Sequence, residues 1–151
     1  MAPAPVKGLK GEKLLIQIGN GAAPEVFAID CLINSDRGIK FSSETTNTNL
    51  PDCEDPGAPA WKFLNKDGFA AEISGAGKTH TPSLKVFWDW FNSDDGKNVR
   101  VLADATAANG GGYWIGSFKL TDFEVTGTPK EYADCSITLQ SDGVVTWVDA
   151  V

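Results

Sequence analysis

The chain carries a single histidine, and its three cysteines, Cys31, Cys53 and Cys135, fall at spacings that form no pattern. An odd cysteine count without paired ligand spacing is neither a disulfide framework nor a zinc site. His80 has no Gly-x-Ser-x-Gly elbow to work with, so a catalytic triad has no footing. Basic residues are scarce: Lys+Arg is 13 against Asp+Glu 20, a formal net charge of -7. Polyanions and anionic lipid are held by Lys and Arg, so this balance argues against a nucleic-acid binder and against membrane attachment. No apolar run approaches the ~20 residues that span a bilayer. Met1 to Lys10 is rich in Ala and Pro and lacks the apolar core of a signal peptide. The expectation is a protein made in a reducing cytoplasm, with Cys31 and Cys135 as small buried thiols on apolar strand faces.

What is present is ordinary globular material: 151 residues, 42% hydrophobic and 22% charged. One domain of that length buries ~70% of its unfolded surface without staples. Period-two alternation is the dominant signal. From Glu131 to Gln140, Ala133, Cys135, Ile137 and Leu139 point one way and Tyr132, Asp134, Ser136, Thr138 and Gln140 the other. That is a strand with one buried and one wet face. Ser141-Asp142-Gly143 supplies turn chemistry, and Val144 to Val148 can pair back as a closing strand.

Upstream, Met1 to Gly11 holds Pro3, Pro5, Gly8 and Gly11 and reads as an extended arm. Lys13–Ile18, Glu25–Asn34, Gly38–Thr45, Gly68–Gly75, Asn98–Asp104 and Tyr113–Thr126 read as strands. Between Thr46 and Lys66 periodicity collapses around Pro51, Pro56 and Pro59, and a long irregular loop is expected. Thr81 and Pro82 suit a helix N-cap and first turn. Leu84, Phe87, Trp88 and Phe91 follow at i, i+3, i+4 and i+7, which predicts that this stripe plugs the core and leaves Trp90 outside. The class is mostly β, a β-sandwich or partly closed β-barrel with one short α-helix. Residues 1–12 form the arm and 13–151 one β domain.

Three apparent motifs fail on their chemistry. Gly75-Ala76-Gly77-Lys78-Thr79 looks like the end of a phosphate loop, but Glu72 stands where a glycine must be, and its carboxylate would repel phosphate. A strand-to-helix turn is expected there. Asn92 to Gly96 places Phe91 and Ser93 where a calcium loop needs carboxylates. The five tryptophans could build the platform of a carbohydrate-binding β-sandwich, yet only Trp61 and Trp90 read as surface aromatics. No catalytic residue, metal site or cofactor is assigned.

The segment GSFKLTDFEVTGTPKEYADCSITLQSDGVVTWV, from Gly116 to Val148, resembles the C-terminal end of major tail tube proteins of long-tailed bacteriophages. Element order extends the resemblance over Lys13 to Val148. It implies a structural virion protein whose six-membered rings stack into a hollow tube that delivers DNA. It further implies that the loop joins neighbouring rings, through Asn47, Asn49, Leu50, Pro51, Asp52, Glu54, Asp55 and Trp61. Glu44, Glu124, Asp134, Ser136, Thr138 and Gln140 then become lumen candidates, with Lys40 and Lys119 as positive exceptions; the same face could equally be the solvated side of a monomeric sheet. The implied partners are further copies of the chain and other tail proteins such as tape measure, tip and terminator, with DNA passing through unbound. Assembly in the host cytoplasm and residence in the virion tail follow. The tube of a tailocin or of a type VI secretion machine fits the same features. Cys53 and the run Gly110 to Gly112 have no counterpart in this resemblance.

Overall fold

The computed structural model describes residues 4–22, 24–29 and 35–151. Among these lie eight strands and one helix: β1 (Leu14–Gly19), β2 (Phe27–Ile29), β3 (Asp36–Leu50), β4 (Trp61–Lys78), α1 (Thr81–Asn92), β5 (Lys97–Ala103), β6 (Gly112–Thr126), β7 (Asp134–Ser141) and β8 (Thr146–Asp149). All pairings are antiparallel, in the order β2-β1-β5-β6-β7-β4-β3, with β8 added on β6. The mostly β class with one short helix is therefore as expected, as a single sheet in a sandwich-like arrangement that does not close into a barrel.

β6 joins the two halves. Its first part, Gly112 to Phe118, pairs with β5, and its second, Phe118 to Thr126, pairs with β7. The register slips between Leu120 and Asp122, leaving Thr121 without a cross-strand partner; its hydroxyl donates to the Thr138 carbonyl at 3.2 Å. A bulge of this kind bends a strand and adds twist. The two half-sheets then face one core: Ile16, Val99 and Val101 from one, Ile73, Ile137 and Leu139 from the other, with Phe118 at the junction. Each such side chain contributes about 1.5–3 kcal/mol by leaving water. Cys135 is a buried thiol in that core, as its strand face suggests; Cys31 lies outside the described residues. Glu25–Asn34 is described only as far as Ile29, as the short strand β2.

The helix lies across the core but is rotated from the expected stripe. Phe87 and Trp90 are buried, Trp90 at 3% exposure, and Leu84 packs against the core in part. Trp88 and Phe91, expected inside, are 54% and 42% exposed and stack on each other at 6.2 Å. Apolar residues at 84, 86, 87, 88, 90 and 91 cover most of the circumference, so periodicity alone defines no unique face. Packing decides it: Trp90 donates its indole N–H to the Asp95 carbonyl at 3.2 Å and lies under Lys97, while Phe87 stacks on Phe123. His80 rather than Thr81 occupies the N-cap position, and it makes no side-chain cap bond.

Two further expectations are corrected, and the glycine run left without a counterpart gains a role. Gly75 to Lys78 is not a turn but the end of β4, paired with Ile137 to Asp134 of β7; the turn is confined to Thr79 and His80. The closing strand does not pair with β7, both of whose edges are taken by β6 and β4; it pairs with the free edge of β6 instead. Gly110 to Gly112 has a packing role. Gly110 takes φ +82, and a Cβ on Gly111 or Gly112 would lie 2.0 Å from the Ala105 carbonyl oxygen or 2.4 Å from that of Val148. This close approach seats β8 and the Trp147 ring, itself 4.9 Å edge-on to Trp114.

Two outcomes follow. Trp90→Ala is expected to cost ~3–5 kcal/mol in urea unfolding, the usual price of a core aromatic, whereas Trp88→Ala costs less than about 1 kcal/mol. Equal losses would mean that the helix is seated differently. Gly112→Ala is expected to lower stability by about 1–3 kcal/mol through overpacking against β8; thermal melting unchanged from wild type would show that β8 yields freely.

Candidate assembly surfaces

β3 and β4 pair over the whole of β3, from Asp36↔Ala76 out to Leu50↔Trp61. The expected irregular loop, 46–66, is thus mostly a two-stranded arm, and only residues 51–60 connect its strands. Sequence reasoning missed it because a ribbon without a core shows no single buried face. The arm starts at a register shift between Ser43 and Glu44, where Gly68 adopts φ +77, a conformation costly for other residues. Beyond it, 44–50 and 61–70 are exposed on both faces. Leu50, Trp61 and Phe63 share one face near the tip, and Trp61 is 84% exposed. Asn47 and Asn49 alternate with them on the other face, paired with Leu64 and Lys62.

The tip is acidic: Asp52, Glu54 and Asp55 occur between Pro51 and Ala60 without a basic residue. Asp52 is occupied locally, accepting the Glu54 amide at 2.9 Å. Cys53 is an exposed thiol between them. β3 pairs with a strand on one side only, so its other edge presents unpaired backbone groups among the described residues. An open edge of this length invites another chain to pair with it. Arg37 secures the start of β3 to the body, donating from Nε to the Leu14 carbonyl and from a terminal nitrogen to that of Gly11.

The second surface is the wet face of β6, β7, β4 and β3. Register places Glu124, Ser136, Ala76 and Asp36 in one row across the four strands. Asp122, Thr138, Ser74 and Gly38 form the next, and Lys119, Gln140, Glu72 and Lys40 the third. Glu124, Asp134, Ser136, Thr138 and Gln140 are therefore brought together, while Glu44 stands further out, opposite Asp67 on the arm. Asp36, Glu72 and Asp122 were missed because only pairing register, not local pattern, puts them there.

Lys78 was also missed. It pairs with Asp134 at 2.8 Å, and the hydrogen bond and charge of that carboxylate hold its ammonium above the ordinary lysine value. The pair therefore persists at neutral pH, and on the alkaline side it is lost as pH rises past the raised lysine value; both groups are well exposed, so its effect on stability is small. Lys119 is similarly raised by its hydrogen bond to Asp94 and by the charge of Asp142, and it is drawn toward the rim. A shallow recess at one end of this face is bordered by Asp36, Glu124 and Asp134, an arrangement hostile to an anion. Trp90 is buried and Trp61 stands alone on the arm, so they form no carbohydrate platform.

The exposed ribbon and the open edge of β3 are surfaces that another chain can cover. The sequence matches the phage tail tube protein family model over residues 8–147, and the chain belongs to that family. It is a structural component of a virion tail. The fold is shared with a chain in the virion of a native gene transfer agent particle, at TM-score 0.67 and 19% identity, covering 93% of this chain and 99% of that one. A chain from the tail of an empty gene transfer agent particle, refined with C6 symmetry, gives TM-score 0.69, 19% identity and the same coverages. The SPP1 tail tube solved by solid-state NMR and cryo-EM gives 0.60 and 13%, over 95% and 81%. Comparison with curated proteins yields no match.

Proposed function

We propose that six copies of this chain close into a ring, that rings stack into a hollow tube, and that the acidic wet face of β6, β7, β4 and β3 lines the channel for DNA. The observation that carries this reading is the arm. It exposes Leu50, Trp61 and Phe63 to water, although a two-stranded ribbon is marginal in water by itself. Such a segment makes sense when a neighbouring copy covers it. The C6 symmetry of the gene transfer agent tail supports six as the ring number. Head-to-tail contacts close into rings when the rotation permits, and stacked rings give a tube.

The chain's task is then mechanical, with no catalytic step. Tape measure, tip and terminator proteins would meet the ends and interior of the tube, and assembly would take place in the host cytoplasm. Carboxylates on the lining keep DNA from adhering, because each Lys or Arg contact to phosphate adds affinity. Lys78 is masked by Asp134, so the wall presents little free positive charge at that end.

Electron microscopy of the concentrated protein should show hollow rings or tubes. Replacing Asn47 to Asn65 by a short Gly/Ser turn should leave circular dichroism of the body and its melting close to wild type while abolishing long tubes in sedimentation. Long tubes from that variant, or an unfolded body, would overturn the role of the arm. Asp134→Lys is expected to leave rings intact and to slow DNA ejection from particles, most strongly at low ionic strength, since it adds a cation and removes the carboxylate that Lys78 pairs with. Ejection at the wild-type rate from particles with confirmed tubes would place Asp134 outside the lumen.

A further inference from the structure

The chain has two arginines, and they are used differently. Arg37 is spent on main-chain carbonyls inside the subunit. Arg100 lies on the face of β2, β1, β5 and β6 that points away from the core, in the cross-strand row Ile29, Gln17, Arg100, Ile115. Its guanidinium is held between two rings, 4.5 Å from the centre of Phe27 and 5.0 Å from that of Tyr113. Its Nε donates to the Gln17 side-chain oxygen at 2.6 Å. Among the described residues its terminal nitrogens have no hydrogen-bond partner, and the residue is only half-buried.

This is a fixed cation. The rings and Gln17 restrict the rotamers that an exposed arginine would otherwise sample, so little entropy remains to be lost on docking. Two free, coplanar donors match a carboxylate. Ile115 lies next to Arg100 in the row and Ile29 closes the row beyond Gln17, while Asn98, two residues away on the same face, holds the Glu25 carboxylate. Aromatic residues and an arginine beside apolar side chains have the composition of an interface centre.

The arm tip has the complementary chemistry. Glu54 and Asp55 are the tip carboxylates not engaged in holding the loop, and the exposed pair Leu50 and Trp61 lies immediately behind them. We propose that the Arg100 socket receives a carboxylate from the arm tip of a second copy of this chain, Glu54 or Asp55, with Leu50 and Trp61 settling on the apolar flank. This rests on the reading that the arm bridges copies, and adds to it the surface on which the arm lands and the residue that fixes its position. It also assigns a purpose to a ring-stacked arginine on a face that no other element covers among the described residues.

A charge swap tests it. Arg100→Glu and, separately, Glu54→Arg combined with Asp55→Arg should each raise the protein concentration needed for tube formation by roughly tenfold or more. Circular dichroism and melting should be unchanged for the tip variant, whose positions are exposed, so its result stands even if Arg100→Glu folds poorly. Combining the two sets should restore tubes to within a few-fold of wild type, and Arg100→Lys, which keeps the charge but loses the fork, should fall between. Wild-type assembly by the tip variant, or no recovery in the combined variant when it is folded, would overturn the pairing while leaving arm-mediated stacking intact. Absence of rings and tubes from the wild-type protein at every concentration and ionic strength would instead remove the stacking reading, and this pairing with it.

Discussion

Everything in this subunit depends on β6 serving two half-sheets at once. Because its first part pairs with β5 and its second with β7, the bulge at Thr121 turns one sheet into two facing layers without a break in the chain. Phe118, at the turning point, is 1% exposed and touches the core that both layers share. That economy leaves the far ends free. β3 keeps an open edge, and the hairpin it forms with β4 can run past the body, since neither is needed to cover the core beyond Ala71.

The body is held by apolar contact, whereas its surfaces are organised by charge. Carboxylates collect on the wet face of the second half-sheet and at the arm tip, and a single arginine sits on the outer face of the first half-sheet. A net charge of -7 opposes the approach of copies to one another. Local complementarity then has to overcome that repulsion, which makes association sensitive to salt and selective in orientation.

Much of the body was legible in the sequence, because its strands have one dry and one wet face. The alternation from Ala133 to Gln140 and the strand at Leu14 both follow from local chemistry. The arm was not legible as strand: with both faces in water, no hydrophobic period marks it, and three prolines in its connection look like a broken pattern. The orientation of α1 was misread because a helix apolar on most sides is oriented by its neighbours. For the candidate surfaces, residue types were visible early, but Glu72, Asp122 and Lys78 joined them only through pairing register. Arg100 gave no sequence signal, since its partners Phe27 and Tyr113 are far apart in the chain.

The two-faced exposure of the arm has a kinetic consequence. A ribbon of two strands with no third strand and no buried face gains little by holding its shape in a lone subunit. On the reading that the arm lands on a second copy, that copy supplies the free energy that orders it, and the first contacts between free subunits bear the full entropic cost of fixing it. Addition to an existing end meets a surface already in place, and each newly added subunit displays the next one. On that same reading, growth from a template is favoured over spontaneous initiation, and subunits wait unpolymerised until an end is offered to them.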